Sequence, residues 1–167
     1  MRLFFYGTML DPDVRRIVLG GASASVTIHP AVLIGFHRVR AGDGNFPMLI
    51  RRSLGRVHGE LVEGLRRDDL LRIAHFEGPD YVPSRQRVRD AANRCVFTWV
   101  LLPPDKAKAS RERWDLRRWQ LRDKPRMLPQ MEGWMRDYDR FGSHSVDIPW
   151  PLRRRLKAWL EAGELEP

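Results

Sequence analysis

The 167-residue sequence contains one cysteine, Cys95, so it cannot form an internal disulfide. Cys95 lies in the apolar run RCVFTWVLL, where we expect a small buried hydrophobic residue rather than a nucleophile. No stretch approaches the roughly 20 consecutive apolar residues that a membrane span requires. The N-terminal residues MRLFFYG are not followed by the small-residue cleavage site of a secretory signal. These absences predict a cytoplasmic protein without a membrane segment.

Motifs for metal binding and for nucleophilic catalysis are also missing. There is no HExxH motif and no paired Cys/His spacing of the kind that binds zinc. His58 and Glu60 would share one face of a strand, whereas His75 and Glu77 would not share one face of a helix. No serine or cysteine lies in a nucleophile-elbow context. We therefore expect no metal site and no Ser/His/Asp hydrolysis.

Lysine is scarce, because 26 of the 30 basic residues are arginine, and the formal net charge is +9. Such a charge is compatible with an anionic partner, including nucleic acid, but also with a genome that encodes arginine in preference to lysine. The arginines are scattered, and only residues 153–155 form a run. No basic segment is interleaved with the aromatic residues that stack bases. Nucleic-acid binding is therefore not expected.

The composition is that of a globular protein with a substantial core. The apolar share is 43%, and six tryptophans and seven phenylalanines supply bulky side chains. The sequence shows no internal repeat and no low-complexity linker. We therefore expect residues 1–167 to form a single domain.

The first element is a strand that stops abruptly. Leu3-Phe4-Phe5-Tyr6 predicts a buried strand over residues 2–6, and Gly7 and Thr8 follow it directly. A helix comes next, with Asp11 as its N-cap, Pro12 in its first position and Gly20 at its end. The Gly7-Thr8 break is either a plain connector or a loop whose backbone binds a ligand.

Further strands and one helix occupy the rest of the first two-thirds. The helix is RRDDLLRIAHFEG, with apolar positions at helical spacing and Gly78-Pro79 to end it. The strand-like runs are AVLIGFHRVR, FPMLIRR, RVHGELVEG, QRVRD and RCVFTWVLL, separated by the turn-forming segments AGDGN, SLG and DAAN.

From about residue 104 the strand signals vanish and the sequence becomes helical. We expect the apolar faces of two helices here to pack on the β-rich part, and the order of strands then helices predicts an α+β fold. Those faces comprise Met127, Met131, Trp134, Met135, Tyr138 and Phe141 in the first helix, and Leu152, Leu156, Trp159 and Leu160 in the second, which Pro151 opens and Gly163 closes.

Glu77 is the strongest candidate for acid–base chemistry. It stands at the end of a short apolar helix in IAHFEGPDY. Apolar neighbours disfavour an ionised carboxylate and move its pKa toward the range useful for proton transfer. The alternative is an ordinary solvated glutamate at a helix end.

The succession of these features resembles the γ-glutamylcyclotransferase-like superfamily over residues 2–102. The motifs that carry the resemblance are FFYGTML, the helix start DPDV, NFPMLIRR, GRVHGELVEGL, and FEG followed by Tyr81. The resemblance implies an α+β fold with a small mixed, partly closed β-barrel and flanking helices. Residues 1–103 would form this β-rich core, and residues 104–167 a helical C-terminal extension packed on it, as in longer bacterial members.

The resemblance also implies a reaction. The α-amino group of a γ-glutamyl compound attacks its own γ-carbonyl, which releases an amine or peptide and forms 5-oxoproline. Glu77 would be the general acid/base, and the loop Tyr6-Gly7-Thr8-Met9 would bind the glutamyl group and the carbonyl oxygen. Tyr81 would line the pocket. The enzyme would need no metal and no cofactor, and its partner would be a small γ-glutamyl compound.

Two other functions remain open. The chain is either such an enzyme, a non-catalytic domain of the same fold that binds a small metabolite, or an arginine-rich binder of nucleic acid or an acidic partner. Tyr6 is equally compatible with a role as a core aromatic residue, and Thr8 with a role in capping the turn. The same glutamyl head occurs in glutathione, a γ-glutamyl dipeptide, a γ-glutamyl amine and a biosynthetic intermediate. The sequence therefore does not identify the substrate, and it does not predict the oligomeric state.

Overall fold

The computed structural model describes residues 1–42, 44–78, 81–103, 109–142 and 157–161. Its strands are β1 (Leu3–Phe5), β2 (Thr27–Ala41), β3 (Pro47–Glu63), β4 (Val82–Asp90), β5 (Cys95–Leu102) and β6 (Ala109–Arg113). Its α-helices are α1 (Pro12–Leu19), α2 (Arg67–Glu77), α3 (Leu116–Arg122) and α4 (Lys124–Phe141), with 3-10 helices at Thr8–Leu10 and Gly20–Ala24. Residues 157–161 are also helical.

Strands β1 to β5 form a closed barrel. The strand order is β3-β1-β5-β4-β2, and β2 closes the ring by pairing with β3 over most of its length. The pairing of β1 with β5 is parallel and the others are antiparallel, so the sheet is mixed. β6 extends the sheet from the edge of β2. The predicted α+β fold with a small mixed barrel and flanking helices is confirmed.

Strand β1 is buried on both faces, which explains why its sequence is continuously apolar rather than alternating. Phe4 and Tyr6 point into the barrel, where they pack with Leu33, Val57 and Val100. Side chains of a strand alternate between the two faces, so Leu3 and Phe5 point outward. There they pack against helices α1, α2 and α4 through a second core that includes Val14, Val18, Leu70, Ile73 and Met131.

The start and end of α1, and the end of α2, lie where the sequence predicts them. The Asp11 carboxylate accepts hydrogen bonds from the backbone N–H groups of Asp13 and Val14, which makes it the N-cap of α1. Gly20 follows α1 with a φ of +57°, a conformation that glycine adopts without penalty. Helix α2 ends at Glu77, and Gly78 follows with a φ of +75°.

One predicted turn is a bulge instead. The SLG segment does not end a strand, because β3 runs from Pro47 to Glu63. Ile34 pairs with Arg56 and Phe36 pairs with Arg51, so residues 52–55 lie opposite a single residue of β2. An added Cβ on Gly55 would lie 2.3 Å from the Phe36 carbonyl oxygen. The glycine is needed for close backbone approach within the sheet, not for a turn.

The prediction that Cys95 is buried is wrong, because the residue is exposed. Alternation along β5 turns Thr98 and Val100 into the barrel, where both are buried. Cys95 is the first residue of β5. It lies an odd number of residues from Thr98 and Val100, so its side chain points to the outer side of the barrel. The apolar run around Cys95 identifies a strand but does not tell which face each residue occupies.

The C-terminal third is less uniformly helical than predicted, because β6 precedes α3. Helix α4 is present as expected, with Met131 and Met135 buried, but Trp134 and Phe141 are exposed. Trp159 and Leu160 are buried as expected. Leu152, Leu156, Pro151 and Gly163 lie outside the described residues.

Asp11 also joins α1 to the helices of the C-terminal third. Its buried carboxylate accepts hydrogen bonds of 2.8 Å from both Gln120 Nε2 and Lys124 Nζ, and Lys124 also donates to Asp13 at 2.7 Å. Burial by itself would raise the pKa of the Asp11 carboxyl, but the hydrogen bonds from Lys124, Gln120 and Val14 outweigh it and lower the pKa.

Asp11→Ala is expected to lower the free energy of unfolding by about 3 kcal/mol at pH 7, because it removes one partner of a buried ion pair and the helix cap. A carboxyl with a lowered folded-state pKa stabilises the fold above its unfolded pKa, and this contribution is lost as pH falls through the folded value. Urea unfolding at pH 7 measures the loss. Asp13→Ala removes a half-exposed carboxylate on the same helix and should cost less than about 1 kcal/mol. Equal losses for the two variants would contradict this account.

Candidate functional site

The loop after β1 forms a tight turn. The Leu10 N–H donates to the Gly7 carbonyl at 3.0 Å, and the Asp11 N–H donates to the Thr8 carbonyl at 2.9 Å. The N–H groups of Thr8 and Met9 are the first two of this 3-10 turn, so they find no acceptor within it. Successive backbone N–H groups of this kind favour a negatively charged oxygen.

Gly7 is required by space rather than by backbone conformation. Its φ is −116°, which any residue can adopt. A Cβ at this position would lie 2.9 Å from Cγ of Pro47, closer than real Cβ contacts. The side chain of Pro47 therefore approaches the loop as closely as it does only because residue 7 is glycine.

Glu77 is the last residue of α2. Burial of its carboxyl raises the pKa from 4.5 to about 7. Near neutral pH the carboxyl is therefore present in both its protonated and its ionised form, which suits a group that accepts a proton and returns it.

Near this carboxyl, two tyrosine hydroxyls donate hydrogen bonds to backbone carbonyls. Tyr6 is buried, and its hydroxyl donates to the Leu101 carbonyl at 2.7 Å. Burial raises the pKa of Tyr6 well above its usual value, and the nearby Tyr81 hydroxyl and Glu77 carboxyl raise it further. The Tyr81 hydroxyl donates to the Pro47 carbonyl at 3.0 Å. A phenolic oxygen can accept a hydrogen bond as well as donate one.

All six residues singled out in the sequence line one cavity of about 250 Å³: Tyr6, Gly7, Thr8, Met9, Glu77 and Tyr81. The first four come from the loop after β1, and the last two follow some seventy residues later. The fold brings them together because β1 lies in the barrel wall and α2 packs across its outer face. Their roles in binding and catalysis remain predictions.

The cavity has a second set of walls that the sequence did not reveal. They come from the start of β3, from α2 and from α4, and they are apolar. These residues are Phe46, Pro47, Met48, Phe76, Met127, Met131 and Trp134. Helical spacing predicts that Met127, Met131 and Trp134 share a face of α4, but it does not show that this face borders a cavity.

Arg38 was not predicted from the sequence as a site residue, and its side chain fixes the start of the loop by a hydrogen bond. Its guanidinium donates to the Tyr6 carbonyl at 2.7 Å and lies 4.9 Å from the centre of the Trp114 ring. Trp114 is itself held in place, because its indole N–H donates a hydrogen bond to the Asn45 carbonyl at 3.1 Å. Burial lowers the pKa of Arg38 below its usual value. No local pattern signals this residue, since its partners lie far away in the sequence.

The structure gathers some of the scattered arginines on one outer face of the barrel. Arg85, Arg87 and Arg89 alternate along β4, and Arg87 pairs across the sheet with Phe97, which is 58% exposed. Arg85 lies over the ring of Trp99, 5.7 Å from its centre. Sheets that bind single strands present aromatic rings for two or three bases, and here Phe97 is the exposed ring of the β4–β5 pair. The cavity is therefore the better candidate site.

In the part of the chain that the structure describes, no three His, Cys, Asp or Glu side chains are grouped so that they could hold a metal ion. The helices within these residues include none that is long and apolar enough to cross a membrane.

The family model for gamma-glutamyl cyclotransferase, AIG2-like, matches residues 3–121. The chain belongs to this family. The match contains the whole barrel and Glu77, and it ends at residue 121 within α3, before α4 begins. The matched residues thus include the loop and Glu77, whereas the α4 wall of the cavity lies beyond them.

Similar proteins support this placement. AIG2-like protein C of Arabidopsis thaliana is 30% identical over 125 residues, which cover 73% of this chain and 70% of that protein. Protein AIG2 C of the same plant is 28% identical over 122 residues, covering 71% and 72% of the two chains. A solution structure from Arabidopsis thaliana has a TM-score of 0.58 at 21% identity and covers 87% of both chains. A structure of gamma-glutamyl cyclotransferase has a TM-score of 0.52 at 14% identity, covers 94% of this chain and 98% of that chain, and shows the same fold.

Proposed function

We propose that this chain is a cyclotransferase that converts a γ-glutamyl compound into 5-oxoproline and a free amine or peptide. The observation that carries the proposal is the placement of the Glu77 carboxyl, with a pKa of about 7, in the same cavity as the Gly7-Thr8-Met9 loop. A proton acceptor and a set of backbone N–H donors are the two elements that this reaction needs from the protein.

In the proposed reaction the nucleophile belongs to the substrate. Ionised Glu77 takes a proton from the substrate α-ammonium group, and the resulting amine attacks the γ-carbonyl carbon. The new C–N bond closes the five-membered ring as the old amide C–N bond breaks. The α-nitrogen loses two protons on going from ammonium to lactam N–H, and the departing nitrogen gains two on going from amide to ammonium. Protons therefore balance, and no water is consumed.

The loop would stabilise the charge that develops on the carbonyl oxygen during attack. The N–H groups of Thr8 and Met9 are unused within their own turn, and donors of this kind are worth about 10²–10³ in rate. Pro47 and the Tyr6 ring restrict the space beside the loop, so the substrate chain is held bent with amine and carbonyl together. Such orientation contributes several kcal/mol to the barrier reduction.

The proposal is tested by incubating the protein with a panel of γ-glutamyl compounds and measuring 5-oxoproline. The panel should contain glutathione, γ-glutamyl dipeptides and γ-glutamyl amines, which share the glutamyl head. We expect release from at least one class of compound. Binding of panel members without release from any of them would favour the non-catalytic, metabolite-binding alternative and would contradict the proposal.

A further inference from the structure

We infer that Arg38 is a positioning residue for the proposed reaction. By holding the Tyr6 carbonyl from outside the cavity, it directs and strengthens the first backbone N–H donor of the loop, that of Gly7. This inference rests on the proposed function and adds to it a side chain that does not line the cavity.

The contact between Arg38 and the loop is made to a single peptide group. The guanidinium donates to the Tyr6 carbonyl at 2.7 Å and, over a longer distance of 3.5 Å, to the His58 carbonyl. The Tyr6 carbonyl and the Gly7 N–H lie in one peptide plane and point in opposite directions. A hydrogen bond that fixes the carbonyl therefore also fixes the direction of the Gly7 N–H, at a residue that lines the cavity.

The charge of Arg38 adds to this effect. A hydrogen bond from a charged donor is roughly twice as strong as one between neutral groups. A carbonyl that accepts such a bond polarises its own peptide group, so the N–H of that group becomes a better donor. Burial lowers the pKa of Arg38, but a guanidinium stays charged at neutral pH. The Gly7 N–H can then stabilise the substrate carbonyl oxygen together with those of Thr8 and Met9.

Arg38 is itself held by Trp114, which also holds the opposite side of the loop. The guanidinium lies 4.9 Å from the centre of the Trp114 ring, within the range of a cation–π contact. The Trp114 indole is buried and donates to the Asn45 carbonyl, two residues before Pro47. Pro47 is the residue whose side chain approaches Gly7. Arg38 and Trp114 therefore connect the loop to the segment that packs against it.

The far end of the loop is fixed by separate contacts. The Asp11 carboxylate accepts hydrogen bonds from Gln120 and Lys124. Residues 7–10 thus lie between two anchors, with Arg38 at the first and Asp11 at the second. Donors held in place before the reaction begins need no reorganisation when charge develops on the substrate, which is the condition for their full effect on the rate.

The test is Arg38→Met, which removes the charged donor and keeps an unbranched side chain. With the γ-glutamyl compound that the wild type cleaves fastest, we expect kcat to fall at least about tenfold and KM to stay within about twofold, because the loop acts on charge that develops during the reaction. The rise of kcat/KM with pH should still level off near pH 7, since burial raises the pKa of Glu77 to about 7. Thermal unfolding would verify that the variant folds.

Two further variants complete the test. Arg38→Lys keeps a cation that can reach the Tyr6 carbonyl but lacks the planar fork, so it should fold even if Arg38→Met does not, and its kcat should fall about threefold or more. Arg87→Met removes an exposed arginine of β4 and should keep the kcat and KM of the wild type.

Wild-type kcat in both Arg38 variants would overturn the inference and leave the cyclisation standing. A loss confined to KM, or an equal loss in Arg87→Met, would do the same. A pH midpoint that moves away from about 7 in Arg38→Met would show that Arg38 acts on Glu77 rather than on the loop, and would also overturn it. If the wild type released 5-oxoproline from no γ-glutamyl compound, the proposed function itself would fall.

Discussion

Glu77→Gln is expected to lower the rate of 5-oxoproline release at least about 100-fold, because glutamine cannot accept the proton from the substrate ammonium group. The same substitution should leave the shape of the cavity unchanged, since the amide and the carboxyl have nearly equal size. In the wild-type protein, kcat/KM should rise about tenfold per pH unit below pH 7 and level off above it, because burial raises the pKa of Glu77 to about 7. The variant should lack this dependence.

Glu77→Gln should also make the folded protein more stable at alkaline pH. A carboxyl whose pKa is 4.5 when unfolded and about 7 when folded binds more protons in the folded state between these values. The stability of the wild type therefore falls as pH rises from 4.5 to 7, and glutamine removes this loss. The gain is at most about 3 kcal/mol at pH 8 and close to zero at pH 4. Urea unfolding of both proteins at the two pH values measures it.

The control for both effects is Glu132→Gln, which makes the same chemical change at an exposed position of α4. Neither its rate of release nor its stability should differ measurably from those of the wild type. Full activity in Glu77→Gln would remove Glu77 from the mechanism. Reduced activity without a gain in stability at pH 8 would show that the carboxyl is not held in the apolar surroundings described here.

Gly7→Val should abolish measurable 5-oxoproline release, a loss of at least about 100-fold, while the fold is retained. A Cβ on residue 7 would lie 2.9 Å from Pro47 Cγ, so the loop and the proline must separate. A displacement near 1 Å in the reacting geometry is enough for a loss of this size. Gly7→Ala introduces the same Cβ without the further methyl groups and should show a smaller loss. Circular dichroism and thermal unfolding would verify that both variants fold.

The matched control is Gly133→Ala on α4, where an added Cβ meets nothing within 4 Å. This variant should keep full activity and gain about 0.5–1 kcal/mol in stability, because alanine replaces glycine inside a helix. If Gly7→Val were as active as the wild type, the loop after β1 would be only a connector between a strand and a helix.

Local signals in the sequence were sufficient for most of the elements and for several site residues, but they missed strand β6 and divided β3 in two. The Asp11 cap, Pro12 and Gly20 placed α1, and FEG placed Glu77 at the end of α2. Such predictions succeed because capping and turn formation depend on neighbouring residues. The burial of Cys95 was predicted wrongly, because a run of apolar residues does not reveal which face of a strand points inward.

The sequence by itself therefore determined most of the elements, the family resemblance and the candidate residues from Tyr6 to Tyr81. Only the tertiary structure decided that these residues share one cavity, that Gly7 is required by Pro47, and that burial raises the pKa of Glu77 to about 7. It also decided that α4 supplies the apolar wall beyond the carboxyl. These properties depend on contacts between residues far apart in the chain, and neither periodicity nor spacing carries information about such contacts.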